Sequence, residues 1–167
     1  MVLAYLSGPI IHSQLRKDNF YKLVIDILRS MEVEVFAPQF LPAAEPDEVF
    51  QRDVREVRRS DLLITEVSNP SLGVGMEIML AFELSKPILM FWQTESKPLS
   101  FMAKGAPGKA LFEYTDLDEV ESILRGINIT NLRVGHCNEC LSGVAEVRES
   151  RLKCVKCGQT SEELSRG

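Results

Sequence analysis

Two carboxylates and four cysteines carry most of the chemistry that this sequence could do. Glu77 follows SNPSLGVGM, a stretch rich in turn formers, and stands three residues after Val74 and four before Ala81. Val74, Ile78 and Ala81 fall at helical spacing and mark an inward face, and Glu77 belongs to that face. Carboxylates are rarely buried unless paired or used. The plainer reading is an acid near a helix start, where the dipole favours it. Asp53 is placed in the same way, three after Phe50 and four before Val57, while Arg52, Arg55, Glu56 and Arg58 point elsewhere. Taken alone, Asp53 reads first as the partner of a neighbouring arginine, since structural ion pairs also perturb acids.

The cysteines form two knuckles, Cys137-x-x-Cys140 and Cys154-x-x-Cys157, separated by a hairpin-sized segment. That is the spacing of a zinc ribbon, and Gly158 supplies the permissive backbone that such a turn needs. Paired disulfides are the competing reading; with no export signal and no cysteine elsewhere, zinc is preferred. Around the knuckles, Arg133, Arg148, Arg151, Lys153, Lys156 and Arg166 are nearly balanced by Glu139, Glu146, Glu149, Glu162 and Glu163. No basic patch for nucleic acid is evident.

The elements that must position these residues follow from periodicity. Apolar runs bounded by turn residues predict strands at residues 2–6, 33–36, 61–65, 87–92 and 110–114. Helical patterns lie at 15–31, 47–59 with Asp47 as N-cap or first-turn acid, 74–85 and 117–125. The Phe50, Val54 and Val57 stripe faces inward in the second of these. Residues 39–46 form a proline-rich loop, and 94–108 a polar loop holding a short helical piece, SFMAKG. Strands alternating with helices imply a five-stranded parallel sheet covered on both faces, a flavodoxin- or Rossmann-like α/β fold. The expected division is an α/β domain over residues 1–127 and a zinc ribbon over 133–160. In such sheets ligands sit beyond the carboxyl ends of strands beside helix N-termini, which is where Ser71 and Glu77 fall.

The 167 residues are ample for a core, and a net charge of −5 argues against a general nucleic-acid binder. MVLAYLSGPI lacks a basic n-region, and no apolar run reaches membrane-spanning length. A cytoplasmic protein without membrane partners is expected.

Tyr5-Leu6-Ser7-Gly8-Pro9 on the first strand, an Asp on the second helix, and EVSNPSLGVGME at residues 66–77 together resemble the nucleoside 2'-deoxyribosyltransferase superfamily. The nearest branch is similar to the 2'-deoxynucleoside 5'-phosphate N-hydrolases, the Rcl-type enzymes. The resemblance runs over residues 2–126, with LSFMAKG at 99–105 a second match, and leaves the ribbon outside. It implies that Glu77 is a nucleophile, that Asp53 protonates the leaving base, and that Tyr5 helps to hold the nucleophile. It implies that Ser71 and Ser100 bind a 5'-phosphate, Ser100 reaching from the neighbouring subunit of a homodimer. Gly8, Pro9, Ile10, His12, Gly73 and Gly75 are the remaining pocket residues implied. Deoxyribosyltransferases carry Asp where this chain has Ser71; a hydroxyl suits a phosphate dianion where a carboxylate would repel it. Ile11 and His12 depart from the Arg-Gly of the N-hydrolases, leaving base preference and sugar preference open.

The implied reaction is hydrolysis of the N-glycosidic bond of a (deoxy)nucleoside 5'-monophosphate to free base and sugar 5-phosphate. Two carboxylates can divide this work as in retaining glycosidases, with Glu77 ionised under a helix dipole and Asp53 keeping its proton on a less polar face. No metal is needed for this chemistry, so the zinc is expected to be structural. The alternatives are base exchange between nucleosides, or a non-catalytic nucleotide-binding module whose ribbon recruits a partner.

Overall fold

The computed structural model describes residues 1–162; Glu163, Arg166 and the side chain of Glu162, all part of the charge balance above, lie outside the described residues. Five parallel strands, β1 (Leu3–Ser7), β2 (Glu34–Phe36), β3 (Leu62–Glu66), β4 (Ile88–Gln93) and β5 (Lys109–Tyr114), lie in the order β2-β1-β3-β4-β5. This is the flavodoxin-like order, and the near-continuous apolar strands are those of a sheet buried on both sides. Helices α1 (Asp18–Ser30) and α5 (Leu117–Arg125) bury Phe20, Val24, Leu28, Val120 and Leu124 against one face, with Ala4, Leu6 and Ile64. Helices α2 (Pro46–Arg59) and α3 (Leu72–Glu83) cover the other, where Val57, Val74, Ile78 and Ala81 meet Tyr5, Leu63 and Met90. The short α4 (Phe101–Gly105) joins this second face through Ala103.

Three expectations shift. Helix α1 begins at Asp18 rather than near residue 15, because Leu15 and Arg16 both donate to the His12 carbonyl and close a turn first. Helix α3 begins two residues early, capped by Ser71. Phe50 is not inward: it is 55% exposed. Burial rises along α2 from its solvated first turns to Val57, so the N-terminal half of the helix stands clear of the core.

The C-terminal strands β6 (Leu132–Val134), β7 (Val144–Arg148), β8 (Arg151–Cys154) and β9 (Thr160–Glu162) form an antiparallel sheet in chain order. Glu149 and Ser150 both have positive φ, 47° and 65°, the mirror-image turn that suits the twist of a tight hairpin. Leu132 and Val144 belong to the larger core. Gly143 N–H donates to the Lys109 carbonyl at 2.7 Å, and a Cβ on Gly143 would lie 2.6 Å from the Gly108 nitrogen. The ribbon is thereby fixed to the amino end of β5, away from the carboxyl edge of the sheet.

Candidate active site

Side chains alternate along a strand, so Tyr5 and Ser7 point to the same face of β1, the face that α3 covers. Both are fully buried. The Tyr5 hydroxyl donates to Glu77 Oε1 at 2.8 Å, and Ser7 Oγ donates to Oε2. Each carboxylate oxygen thus receives one hydroxyl, and the carboxylate is held against the carboxyl end of β1. Burial pushes the Glu77 carboxyl up to about 7; the Ser7 and Tyr5 hydrogen bonds oppose this, the Asp53 charge adds to it, and Arg52 opposes it. The sequence expectation was the reverse, a value lowered by the α3 dipole. Glu77 lies in the second turn, beyond the short reach of the dipole, and desolvation dominates. The Tyr5 phenol is driven far above its usual range by burial and then by the Glu77 and Asp53 charges, so it stays a donor.

Asp53 lies on α2 with its side chain 13% exposed and accepts a hydrogen bond from Arg52 Nε at 2.8 Å. The arginine partner suggested by the plain reading of the sequence is real, and it is the adjacent residue. The Asp53 hydrogen bond also raises the Arg52 pKa. The site therefore holds two carboxylates and one guanidinium, with the neutral Tyr5 phenol bonded to Glu77.

The predicted binding residues fall into two groups. Gly8 and Pro9 are buried at the end of β1; a Cβ on Gly8 would run into the Tyr21 ring, whose hydroxyl donates to the Pro9 carbonyl at 3.2 Å. Ile10 is half-buried, and His12 is exposed with its carbonyl closing the turn before α1. Ser71 is the N-cap of α3: its Oγ accepts from Val74 N–H at 3.5 Å, which leaves the hydroxyl proton available to a ligand. The resemblance implied Gly73 and Gly75 as pocket residues. They lie inside the first turns of α3, where an added Cβ would meet nothing within 4 Å. Ser100, the N-cap of α4, is exposed, makes no side-chain cap bond and takes no part in the network around Glu77.

Ser7 and Arg52 are the residues that the sequence reading missed. Ser7 carried a signal, since strand alternation puts it on the face of Tyr5; Arg52 carried none beyond its adjacency to Asp53. Glu66, on the opposite face of β3, is fully buried and accepts from Ser68 N–H at 3.3 Å, from Ser68 Oγ and from Tyr114 at 3.0 Å, with Lys17 at 3.8 Å. Ser68 Oγ also accepts from Gln93 N–H at 2.7 Å. Glu66 therefore fixes the loop that delivers Ser71.

In the ribbon, the four Sγ atoms of Cys137, Cys140, Cys154 and Cys157 lie within 4.8 Å of one another. The Cys137–Cys157 and Cys140–Cys154 separations are 3.6 and 3.5 Å. A zinc tetrahedron with ~2.3 Å bonds has sulfur–sulfur edges of about 3.8 Å, whereas a disulfide needs ~2.05 Å. The knuckles close through Leu141 and Gly158, at φ 60° and 77°, and Lys156 N–H points at Cys154 Sγ at 3.4 Å. The cluster could hold a metal ion.

A parallel sheet in this order, with a carboxylate gripped by two hydroxyls at its carboxyl edge and a second acid on the covering helix, defines a recognisable class. The sequence profile described as Nucleoside 2-deoxyribosyltransferase matches residues 4–141, and the chain belongs to that family. Among curated relatives, a 5-hydroxymethyl-dUMP N-hydrolase of Mus musculus is 36% identical over 116 residues, 67% of this chain and 64% of the relative. One of the same name from Danio rerio is 44% identical over 79 residues, 46% of this chain and 55% of the relative. The chain thus spans somewhat more than half the length of these relatives. Among solved structures, a CMP N-glycosidase from Clostridium botulinum superposes with a TM-score of 0.60 at 20% identity, covering 74% of this chain and 98% of the other. That likeness carries the fold. Among the described residues no helix is long and apolar enough to cross a membrane.

Proposed function

We propose that the chain hydrolyses the N-glycosidic bond of (deoxy)nucleoside 5'-monophosphates, giving free base and (deoxy)ribose 5-phosphate. The carrying observation is the Glu77 carboxylate, held by Tyr5 and Ser7 beside the Arg52–Asp53 pair. The names of the mouse and zebrafish relatives support the reading. In the first step a Glu77 oxygen attacks C1' from the face opposite the base. The C1'–N bond breaks, and its electron pair leaves with the base, which takes a proton from Asp53. In the second step water attacks C1' and returns its proton to Asp53, freeing Glu77 and the sugar phosphate. Near neutral pH the Glu77 carboxyl holds a proton about half the time. Moving that proton to Asp53 as substrate enters would create the ionised nucleophile and the protonated acid together. Tyr5 and Ser7 keep the nucleophile aimed.

Ser71 is assigned to the 5'-phosphate, with its free hydroxyl proton and the α3 N–H groups beside it. Ser100 is assigned to the phosphate of a neighbouring subunit. A homodimer is supported by an apolar surface on the face that carries the site: Leu72 (92% exposed), Met76 and Met79 on one side of α3, with Phe101 (90% exposed) and Met102 on α4. Exposed apolar residues of this kind mark association surfaces. The four cysteines are assigned to a structural Zn2+, which would cross-link the two knuckles and support the sheet from its amino end.

The test is chromatographic detection of released base. Ribo- and deoxynucleoside 5'-monophosphates are compared with the matching nucleosides, with Glu77→Ala as control. Release from monophosphates alone, lost in the variant, is expected. Release from nucleosides, or base exchange with an added base, would turn the reading to transferase.

A further inference from the structure

On the face of the sheet that carries Glu77, one hydroxyl is unaccounted for. Side chains alternate along β3, so Thr65 shares a face with Leu63, which packs under α3, whereas Ile64 and Glu66 point to the other side. Thr65 is fully buried, and its Oγ1 has no hydrogen-bond partner among the described residues. Buried polar groups left unpaired are uncommon and costly. Its neighbour in the sheet is Ser7: β1 and β3 run parallel with Ser7 opposite Thr65. Strands ~4.8 Å apart bring two such hydroxyls within bonding reach once a side chain turns between its staggered wells. Ser–Thr pairs on adjacent strands bond in this way. On its other side Thr65 is paired with Met90, which offers only a weak thioether acceptor.

Ser7 is already committed. Its one proton goes to Glu77 Oε2, while Tyr5 serves Oε1. A hydroxyl that donates keeps lone pairs that can accept, so Ser7 Oγ has room for a donor and Thr65 has a proton to give. We propose that the Thr65 hydroxyl donates to Ser7 Oγ and through it holds Glu77 in the ionised, aimed form, making Thr65 a positioning residue for the nucleophile. The two hydroxyls then form a chain directed at the carboxylate, in which each bond polarises the next. With a proton on Glu77 Oε2 the chain must reverse. The acid then donates to Ser7, Ser7 donates to Thr65, and the Thr65 proton is left without an acceptor. The pair therefore favours the anion. The other titratable or charged groups facing Glu77 are Tyr5 of β1 and Asp53 and Arg52 of α2; β3, β4 and α3 itself contribute uncharged side chains to that cluster. Thr65 acts through Ser7 and needs no contact with a ligand. The inference deepens the N-glycosidase reading, on which the role of Glu77 as nucleophile rests.

The experiment follows the Glu77 titration by carbon-13 NMR, in protein labelled at the glutamate side-chain carboxyl carbon, with Glu77→Gln to assign the signal. Thr65→Val exchanges the hydroxyl for a methyl of similar size and should raise the Glu77 midpoint by about half a unit. Thr65→Ser keeps the hydroxyl and should leave the midpoint at its wild-type place. In Ser7→Ala protein the same Thr65→Val replacement should shift nothing, because the link between Thr65 and Glu77 is gone. A midpoint unchanged or lowered by Thr65→Val would overturn the proposal. So would an equal shift with and without the Ser7 hydroxyl, the mark of a general change in packing. Should Thr65→Val not fold, Thr65→Ala, which removes the same hydroxyl, is titrated in its place. Base release is scored separately from the titration: a shifted midpoint in protein that releases no base refutes the hydrolase reading only, and release with an unshifted midpoint refutes this inference only.

Discussion

Replacing Glu77 by Gln should stabilise the folded protein at pH 8 and cease to do so in acid. In the folded state the Glu77 carboxyl titrates at about 7, against 4.5 for an ordinary glutamate. A raised carboxyl contributes its full stability when protonated in both states, below about 4.5, and loses it as pH rises through 7. Above 7 the fold carries a buried charge, a penalty of about 3 kcal/mol relative to acid. Glutamine removes the charge but offers only one accepting oxygen to Tyr5 and Ser7, which costs ~1 kcal/mol. Glu77→Gln should therefore be more stable than wild type by about 2 kcal/mol at pH 8, with the advantage gone or slightly reversed at pH 5. Urea unfolding of both proteins at one protein concentration across pH 5–8 measures the difference. A difference that does not vary with pH, or a destabilised variant at pH 8, would refute the assignment of burial as the dominant influence on Glu77.

The same titration should shape catalysis: the productive pair carries one proton, so base release should be level just below a midpoint near 7 and fall about tenfold per pH unit above it. The Tyr5 hydrogen bond lowers the Glu77 value, so Tyr5→Phe should move that midpoint upward by about one unit, read from kcat/KM against pH. Metal analysis should find one zinc per chain. Chelation or Cys154→Ser should lower the Tm of the whole chain by several degrees, because Leu132 and Val144 of the ribbon belong to the main core. Met76→Glu with Phe101→Glu should convert a dimer to monomers in analytical ultracentrifugation and cut base release at least tenfold, since each places a charge in an exposed apolar patch.

Most of the fold was legible because its strands are apolar runs and its helices carry one-sided stripes. Glu77 could be placed with Val74 and Ala81 by spacing alone. What spacing could not supply was environment. The pKa of Glu77 turns on how completely β1 and α2 desolvate it, and the dipole argument gave the wrong direction. Phe50 fits the α2 stripe in sequence but lies on turns that the core does not reach. Gly73 follows a run of turn formers in one dimension, yet it sits with Gly75 on helical backbone with open space around both. Gln39 was hidden in a stretch read only as a proline-rich loop; its Nε2 donates to the Leu6 carbonyl where Pro38 has no N–H to give, a ladder property visible only once β1 and β2 are in register.

The central claim is that Glu77 attacks C1' and forms a covalent intermediate. Its most direct measurement is the stereochemistry of methanol capture, by NMR of the methyl glycoside 5-phosphate formed when turnover proceeds in aqueous methanol. Two displacements at C1' return the β configuration of the nucleotide, and the account predicts the β-methyl product, absent with Glu77→Ala. The α-methyl product, or β product formed undiminished by Glu77→Ala, would contradict it.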